Sequence, residues 1–303
     1  MRADARFRAM GTDVHLIAVA RSIRTASAAV DRGRERIEQL EALWSRFRPT
    51  SEVSLMNAMA GMPVRVSPET IALVERALDG VRLTGGRFDP TVLGAVVRAG
   101  YDRTYAEIDP DAVPDDGREL GATRIEIDPD ALLVRLPGRV GFDPGGIGKG
   151  LAADIVSHEL ADRVAGICVN IGGDLRVHGE SPDGPAWGVE VEDPFGGDPR
   201  GVLSLADGAV ATSARTRRVL RDGGHHLIDP ATGLPSVGGL ASVTAIAGQG
   251  WMAEVLAKAS FLAGADEGCG VLEAAGVDGV LVLDGGTERR TRGYRRFRGA
   301  EAA

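Results

Sequence analysis

Lys149 and Lys258 are the only lysines among 35 basic residues, and Asn57 and Asn170 are the only asparagines, in a chain of 303. A sequence so biased toward arginine keeps lysine where arginine's planar fork will not serve. That means a site needing a compact, strongly hydrated point charge with a tunable pKa. Lys149 stands in the run Asp143-Pro-Gly-Gly-Ile-Gly-Lys-Gly150, which puts four glycines into eight positions just before a helical stretch. Such a turn lets backbone N–H groups approach a ligand closely, and a helix start beside it favours an anion. Phosphate binding is the chemistry this suggests. Neither familiar phosphate motif is met, however. Asp143 stands where a Walker loop needs its first glycine and Gly150 where it needs Ser or Thr, while Gly146-x-Gly148-x-Gly150 departs from G-x-G-x-x-G.

Lys258 lies in the stretch Trp251–Gly264, where only Glu254, Lys258 and Ser260 are neither apolar nor small. A helix apolar all round is buried. Glu254 and Lys258 are four apart and so share a face, and desolvating both ions is a cost that points to a use beyond surface decoration. Glu254 is the expected partner of Lys258 until a ligand arrives. His225 and His226 offer an imidazole suited to general-base work near neutral pH. Strand alternation would send His226 and Ile228 to one side and His225 and Leu227 to the other, so that one histidine faces a cleft. The run Thr84-Gly-Gly-Arg-Phe-Asp-Pro-Thr91 reads either as a ligand turn or as a turn with a local cap.

These residues need elements to hold them. Residues 10–20 alternate as a strand, and 23–47 carry apolar positions at helical spacing. Residues 49–61 read as a loop and 62–66 as a short strand. A helix is expected from Ser67-Pro68 to Gly85-Gly86. A hairpin is expected over 123–137, a helix over 147–164, and a strand pair over 166–179 broken at Gly172-Gly173. Further short strands follow, then a helix over 251–264 and a closing helix–strand unit. Strands in antiparallel-looking pairs with long helices between them indicate an α+β fold in a single domain spanning 1–303. An inserted loop is expected near 103–120, rich in Asp and Pro. Net charge is −8 and the one arginine-rich stretch, Arg289 to Arg298, is terminal, so nucleic acid is not an expected partner. Cys168 and Cys269 form no C-x-x-C pair. No 18-residue apolar run and no N-terminal apolar segment are present, so a cytoplasmic location is expected.

Taken in order, the motifs resemble the ApbE-like flavin transferases (FAD:protein FMN transferases). The resemblance is carried by Met10-Gly-Thr, Ser45-Arg-Phe with Leu55-Met-Asn57, Gly85-Gly-Arg-Phe-Asp-Pro-Thr91, Asp143 to Asp154, Val169-Asn-Ile-Gly-Gly173, Ala209 to Ala214 and His225-His-Leu-Ile-Asp229. It implies a T-fold-like architecture of antiparallel sheets with long helices packed between and on them. It also implies cleavage of FAD with transfer of FMN, as a phosphoester, to a Thr or Ser of an acceptor flavoprotein, and release of AMP. By matching position, Met10, Phe88, Asp89, Pro90, Asp143, Lys149 and Ile228 would line the FAD site, and His226 would sit by the reacting phosphates. Gly146 and Glu254 would serve a magnesium ion. One departure stands out: the family's last helix carries Asp and, four residues later, Thr as metal ligands, where this chain has Glu254 and Lys258. An ammonium cannot enter magnesium's oxygen shell, so either the metal shifts or Lys258, read here as catalytic, takes over part of its electrostatic work. Two other functions stay open on the sequence: a flavin-binding protein without transfer activity, and an FAD pyrophosphatase with water as acceptor.

Overall fold

The computed structural model describes residues 1–101, 117–217 and 225–299. The expected inserted loop near 103–120 falls largely on residues outside this set. The chain opens with the hairpin β1 (Arg2–Ala9) and β2 (Thr12–Val19), so the first strand begins well before Met10. Two of its inward residues are alanines: Ala3, Ala5 and the larger Phe7 pack on the core while Arg2, Asp4, Arg6 and Arg8 face water. That hides the alternation from a hydrophobicity reading. Helix α1 (Ile23–Trp44) starts at the Ser22 cap and stops three residues short of the expected end, because Ser45 turns extended. This releases Arg46 and Phe47 from the helix.

The stretch read as a loop contains a helix, α2 (Glu52–Ala58). Ser51 caps it, Val53 and Met56 are buried beneath it, and its first residue, Glu52, accepts from Ser67 N and Oγ at 2.8 and 2.7 Å. β3 (Pro63–Arg65) and α3 (Pro68–Leu83) follow, then α4 (Leu93–Arg98). The hairpin β4 (Glu126–Asp128) and β5 (Leu133–Arg135) pairs onto β3 as a small three-stranded sheet.

Next come α5 (Gly148–Leu160), β6 (Gly166–Ile171), β7 (Asp174–Gly179), β8 (Trp187–Val191), β9 (Gly201–Leu205) and β10 (Asp207–Ala214). The short hairpin β11 (Ile228–Asp229) and β12 (Leu234–Pro235) leads to β13 (Leu240–Ala247), α6 (Gly250–Ala274), β14 (Asp278–Leu283) and β15 (Glu288–Arg290). Strand structure thus starts at Ile228, and the histidines lie ahead of it rather than within it. α6 runs past the expected stop through a break at Gly264, whose φ of 78° suits only glycine and which lies against the Gly238 backbone.

One antiparallel sheet, in the order β1-β2-β6-β7-β10-β13-β14-β15, carries the molecule, with every described pairing between neighbours antiparallel. Helices α1, α5 and α6 cover one face. The ribbon β8–β9 covers part of the other, closing a second apolar layer of Val177, Trp187, Leu203 and Val280. β13 is buried at all eight residues because both its faces are covered. Among the described residues, no helix is long and apolar enough to cross a membrane.

Candidate active site

The site grows from two glycines. A Cβ on Gly150 would overlap the backbone of Gly250, and one on Gly250 would meet Gly150, so only hydrogen at both positions lets the starts of α5 and α6 touch. The two helices then cap one another. Asp154 of α5 accepts from Gly250 N at 2.7 Å and Trp251 N at 3.0 Å, and Glu254 of α6 accepts from Gly150 N at 2.8 Å. Neither helix has a side-chain cap at its own N-cap residue, so the orphan N–H groups of each are met by the other. Burial raises the Asp154 carboxyl above its ordinary value, against the pull of its two backbone donors and Arg176.

Crossed capping dictates where the lysines go. The Glu254 carboxylate, bound through Oε2 to Gly150, brings Oε1 to 3.0 Å from Lys149 Nζ. Oε1 is within ion-pair distance but accepts no aligned hydrogen bond. Lys149 also pairs with the buried Asp174 at the start of β7. The expected Glu254–Lys258 pair is therefore not formed: no ion pair joins them among the described residues, because Glu254 points across to α5 rather than along its own helix. Lys258 Nζ instead lies against Gly146, where a Cβ would overlap it.

The turn before α5 is held on both sides. Asn57 brackets Phe142, donating from Nδ2 to its carbonyl at 2.9 Å and accepting from its N–H at 2.6 Å. Asp143 donates from its backbone N to Pro90 O at 2.7 Å, and its Oδ1 accepts from Gly145 N at 2.8 Å. Its other oxygen is 3.6 Å from Arg46 Nε, and that guanidinium stacks on Phe47 and Tyr101 with 4.1 and 4.5 Å to the ring centres. Arg46 is 7% exposed.

Two cavities meet here. The large one, about 650 Å³, opens beside β2, β6, β7, β8 and β10, and Lys149, Asn170, Asp174, Thr212 and Glu254 reach it. The narrow one, about 30 Å³, is walled by Phe88, Asp89, Val96, Tyr101, Asp143 and Ile228. Gly145, His226 and Lys258 border both. Of the residues expected in an FAD site, Phe88, Asp89, Asp143 and Ile228 line the narrow pocket and Lys149 the large one. Pro90 contributes its carbonyl to the Asp143 turn. Met10 stands apart: it occupies the β1–β2 turn at φ 51°, its side chain packs on the core, and the next two residues, Gly11 and Thr12, line the large cavity instead. Asp89 Oδ1 accepts from Thr91 N at 2.7 Å and Thr91 Oγ1 at 2.5 Å, so the turn-with-cap reading holds there together with the pocket lining.

The adjacent histidines have separate environments. His225 is buried edge-on to Phe261; its Nδ1 accepts from Leu227 N at 3.2 Å and its Nε2 lies 2.9 Å from Ser236 O. That pattern specifies a neutral ring protonated on Nε2. Burial, with Arg215 assisting, holds its pKa below the ordinary value despite the Ser236 bond.

Magnesium does not suit this donor set. It needs near-octahedral oxygen ligands, yet one Glu254 oxygen is bound to Gly150, the other faces the Lys149 ammonium, and a second ammonium lies beside Gly146. No group of three His, Cys, Asp or Glu side chains arranged for a metal occurs among the described residues.

Sequence reasoning missed Asn57, Asp154, Asp174 and Arg46 as parts of this assembly. The scarcity of asparagine and the Leu55-Met-Asn57 motif were the signals pointing at Asn57.

Comparison with known proteins bears on the family and the fold. The profile of the ApbE family matches residues 10–281. An FAD:protein FMN transferase of Treponema pallidum (strain Nichols) is 33% identical over 272 residues, covering 82% of this chain and 75% of the relative. One of Vibrio cholerae serotype O1 is 30% identical over 279 residues, covering 86% and 82%. The crystal structure of the ApbE protein from Thermotoga maritima superposes with a TM-score of 0.89 at 28% identity, covering 99% of this chain and 100% of that one. The flavin transferase ApbE from Vibrio cholerae gives 0.85 at 25% identity, covering 98% and 99%.

Proposed function

Since the chain belongs to the ApbE family, we propose that it is an FAD:protein FMN transferase that attaches FMN to a Thr or Ser hydroxyl of an acceptor flavoprotein. The observation that carries this reading is the rim shared by the two cavities. A dinucleotide has two ring systems joined by a pyrophosphate. Laid across Gly145, His226 and Lys258, it puts one half in each cavity and its reacting phosphorus beside the histidine.

The chemistry follows from that placement. The acceptor hydroxyl oxygen attacks the flavin-side phosphorus, forming the new P–O bond as the bridging P–O bond to AMP breaks. His226 takes the hydroxyl proton, which is then available to the departing AMP phosphate. Phosphoryl transfer of this kind needs positioning and charge stabilisation more than covalent help. Lys258 is the cation at the rim. Lys149, fixed by Asp174 and Glu254, sets the charge of the large cavity's wall. Asp143, pinned by Arg46 and Gly145, shapes the narrow pocket. Met10 remains a proposed contact through its turn, and Phe88, Asp89, Pro90 and Ile228 through the narrow pocket. Gly146 and Glu254, expected at a magnesium ion, act in this reading as the seat of the Lys258 ammonium and as the cap of α5.

We take residues 1–303 as one domain, which the span of the family match supports. A cytoplasmic location is proposed with it, and two free cysteines suit a reducing compartment.

The test is incubation of the purified protein with FAD and a Thr-bearing acceptor protein, following AMP release and acceptor mass together. AMP appearing in step with acceptor that has gained one FMN supports the reading. AMP without modified acceptor assigns an FAD pyrophosphatase, and FAD binding without AMP assigns a flavin-binding protein. FAD is expected to bind far more tightly than FMN, since both cavities are used. Equal affinity in a fluorescence titration counts against the straddled placement.

A further inference from the structure

We infer, on the basis of the transfer reading above, that Lys258 meets the substrate pyrophosphate in place of a divalent cation, so that FAD binding and FMN transfer proceed without magnesium. Three observations lead there. The Lys258 ammonium lies against Gly146, on the rim where the two cavities meet. The Glu254 carboxylate, the one acidic side chain of α6 at this rim, is committed to the Gly150 N–H and to Lys149. The crossed caps at Asp154 and Glu254 fix both helix starts, so Glu254 cannot turn toward a metal without uncapping α5.

The two lysines therefore divide the work. Lys149 is held from behind by two carboxylates and orders the wall. Lys258 reaches the rim along an otherwise apolar helix. It delivers a point charge at the place where the pyrophosphate oxygens would lie. A charge-assisted hydrogen bond from an ammonium to a phosphate oxygen is among the stronger polar contacts available. Losing it is expected to weaken binding about tenfold or more.

The test is isothermal titration of FAD into the full chain with excess EDTA and with millimolar Mg²⁺, run on the wild type, Lys258→Met and Lys258→Thr, with thermal melts of each. For the wild type the two conditions are expected to agree within about twofold. Lys258→Met is expected to lose at least about tenfold in affinity under both conditions while its melting temperature holds or rises. Lys258→Thr, which removes the charge while Glu254 still caps α5, is expected to lose affinity under both conditions; recovery with Mg²⁺ would show that Glu254 can turn to a metal and overturn the inference. A wild type that loses about tenfold or more in EDTA overturns the inference. So does a Lys258→Met that binds FAD normally but melts lower, which assigns a structural ion pair. The transfer reading falls separately, if the wild type binds no FAD under either condition.

Discussion

The two cavities that share the Gly145–His226–Lys258 rim are built on different principles. The large one rests on sheet: residues of β2, β6, β7 and β10 line it, and their backbones are fixed by antiparallel ladders. Its space is about 650 Å³. The narrow one has room for about one water. Its walls are side chains on the short α4, on loops, on the two-residue strand β11 and midway along α6: Phe88, Val92, Val96, Tyr101, Ile228 and Leu262. An aromatic ring can enter it only if some of these move. A sheet wall offers no such freedom, whereas a wall of side chains on short elements opens by rotamer changes and small shifts. The difference teaches that, under the proposed placement, one half of the dinucleotide would meet a sheet-built surface and the other a pocket whose side chains must move to admit it. In the proposed placement the rim between them holds the reacting phosphates.

That contrast breaks most completely if the rim loses its foundation. Gly150→Ala drives a methyl into the Gly250 backbone, which cannot give way as a side-chain tip would. The expected loss is at or beyond the upper end of the ~1–3 kcal/mol seen for overpacking, with a melting temperature lower by roughly 6 °C or more. A variant that melts within a degree of the parent would show that the α5–α6 contact does not hold the rim.

A smaller change sharpens the contrast between rim and core. His226→Ala is expected to lower FMN transfer about tenfold or more while FAD affinity stays nearly intact. His225→Ala should leave transfer per folded molecule close to the parent and instead cost about 1–3 kcal/mol of stability, through the Leu227 N–H and Ser236 carbonyl left without their ring partner. Rates normalised to folded protein, together with urea unfolding curves, separate the two. If His225→Ala proves the more damaging to transfer, the roles of the two rings are exchanged.

The residues that the structure gathers around the two cavities were largely legible in the sequence, and so were most of the elements around them. A rare lysine in a glycine turn marked the wall of the large cavity, a second on an apolar helix and one of a histidine pair marked the rim, and the period-2 and period-3.6 patterns marked most of the sheet and helices. Partnership was not legible. Glu254 and Lys258 stand four apart on one helix, and that spacing alone predicts that they pair. The structure sends Glu254 to Lys149 because Gly150 and Gly250 touch, and nothing local to either segment says which backbone a glycine will meet. Asp154 and Asn57 escaped notice for the same reason, since each caps or brackets a backbone about a hundred residues away in sequence. α2 and β1 were hidden differently. Their buried faces are made of small residues or a few positions, so hydrophobic periodicity is weak, while the Ser51 cap and the hairpin register supply what the pattern lacks.

The smallest expected effect is a pH dependence, and it tests whether His225 belongs to the core. Protonating this ring makes Nδ1 a donor facing the Leu227 N–H, so two donors would confront each other in a buried space. Burial and Arg215 already hold its pKa below the ordinary 6.5. The unfolded chain, with the ordinary histidine value, binds a proton that the folded chain refuses in the window between the depressed pKa and about 6.5. Stability rises with pH wherever the unfolded state holds more protons. The contribution of His225 is thus fully present above about pH 6.5 and declines as the pH falls through that window. Urea midpoints measured from pH 7.5 down to 5 should fall in the wild type. In His225→Gln, which cannot titrate, the midpoint should start lower but decline less over the same interval. An equally steep decline in the variant would assign the acid sensitivity to other groups and remove the titration argument for placing His225 in the core.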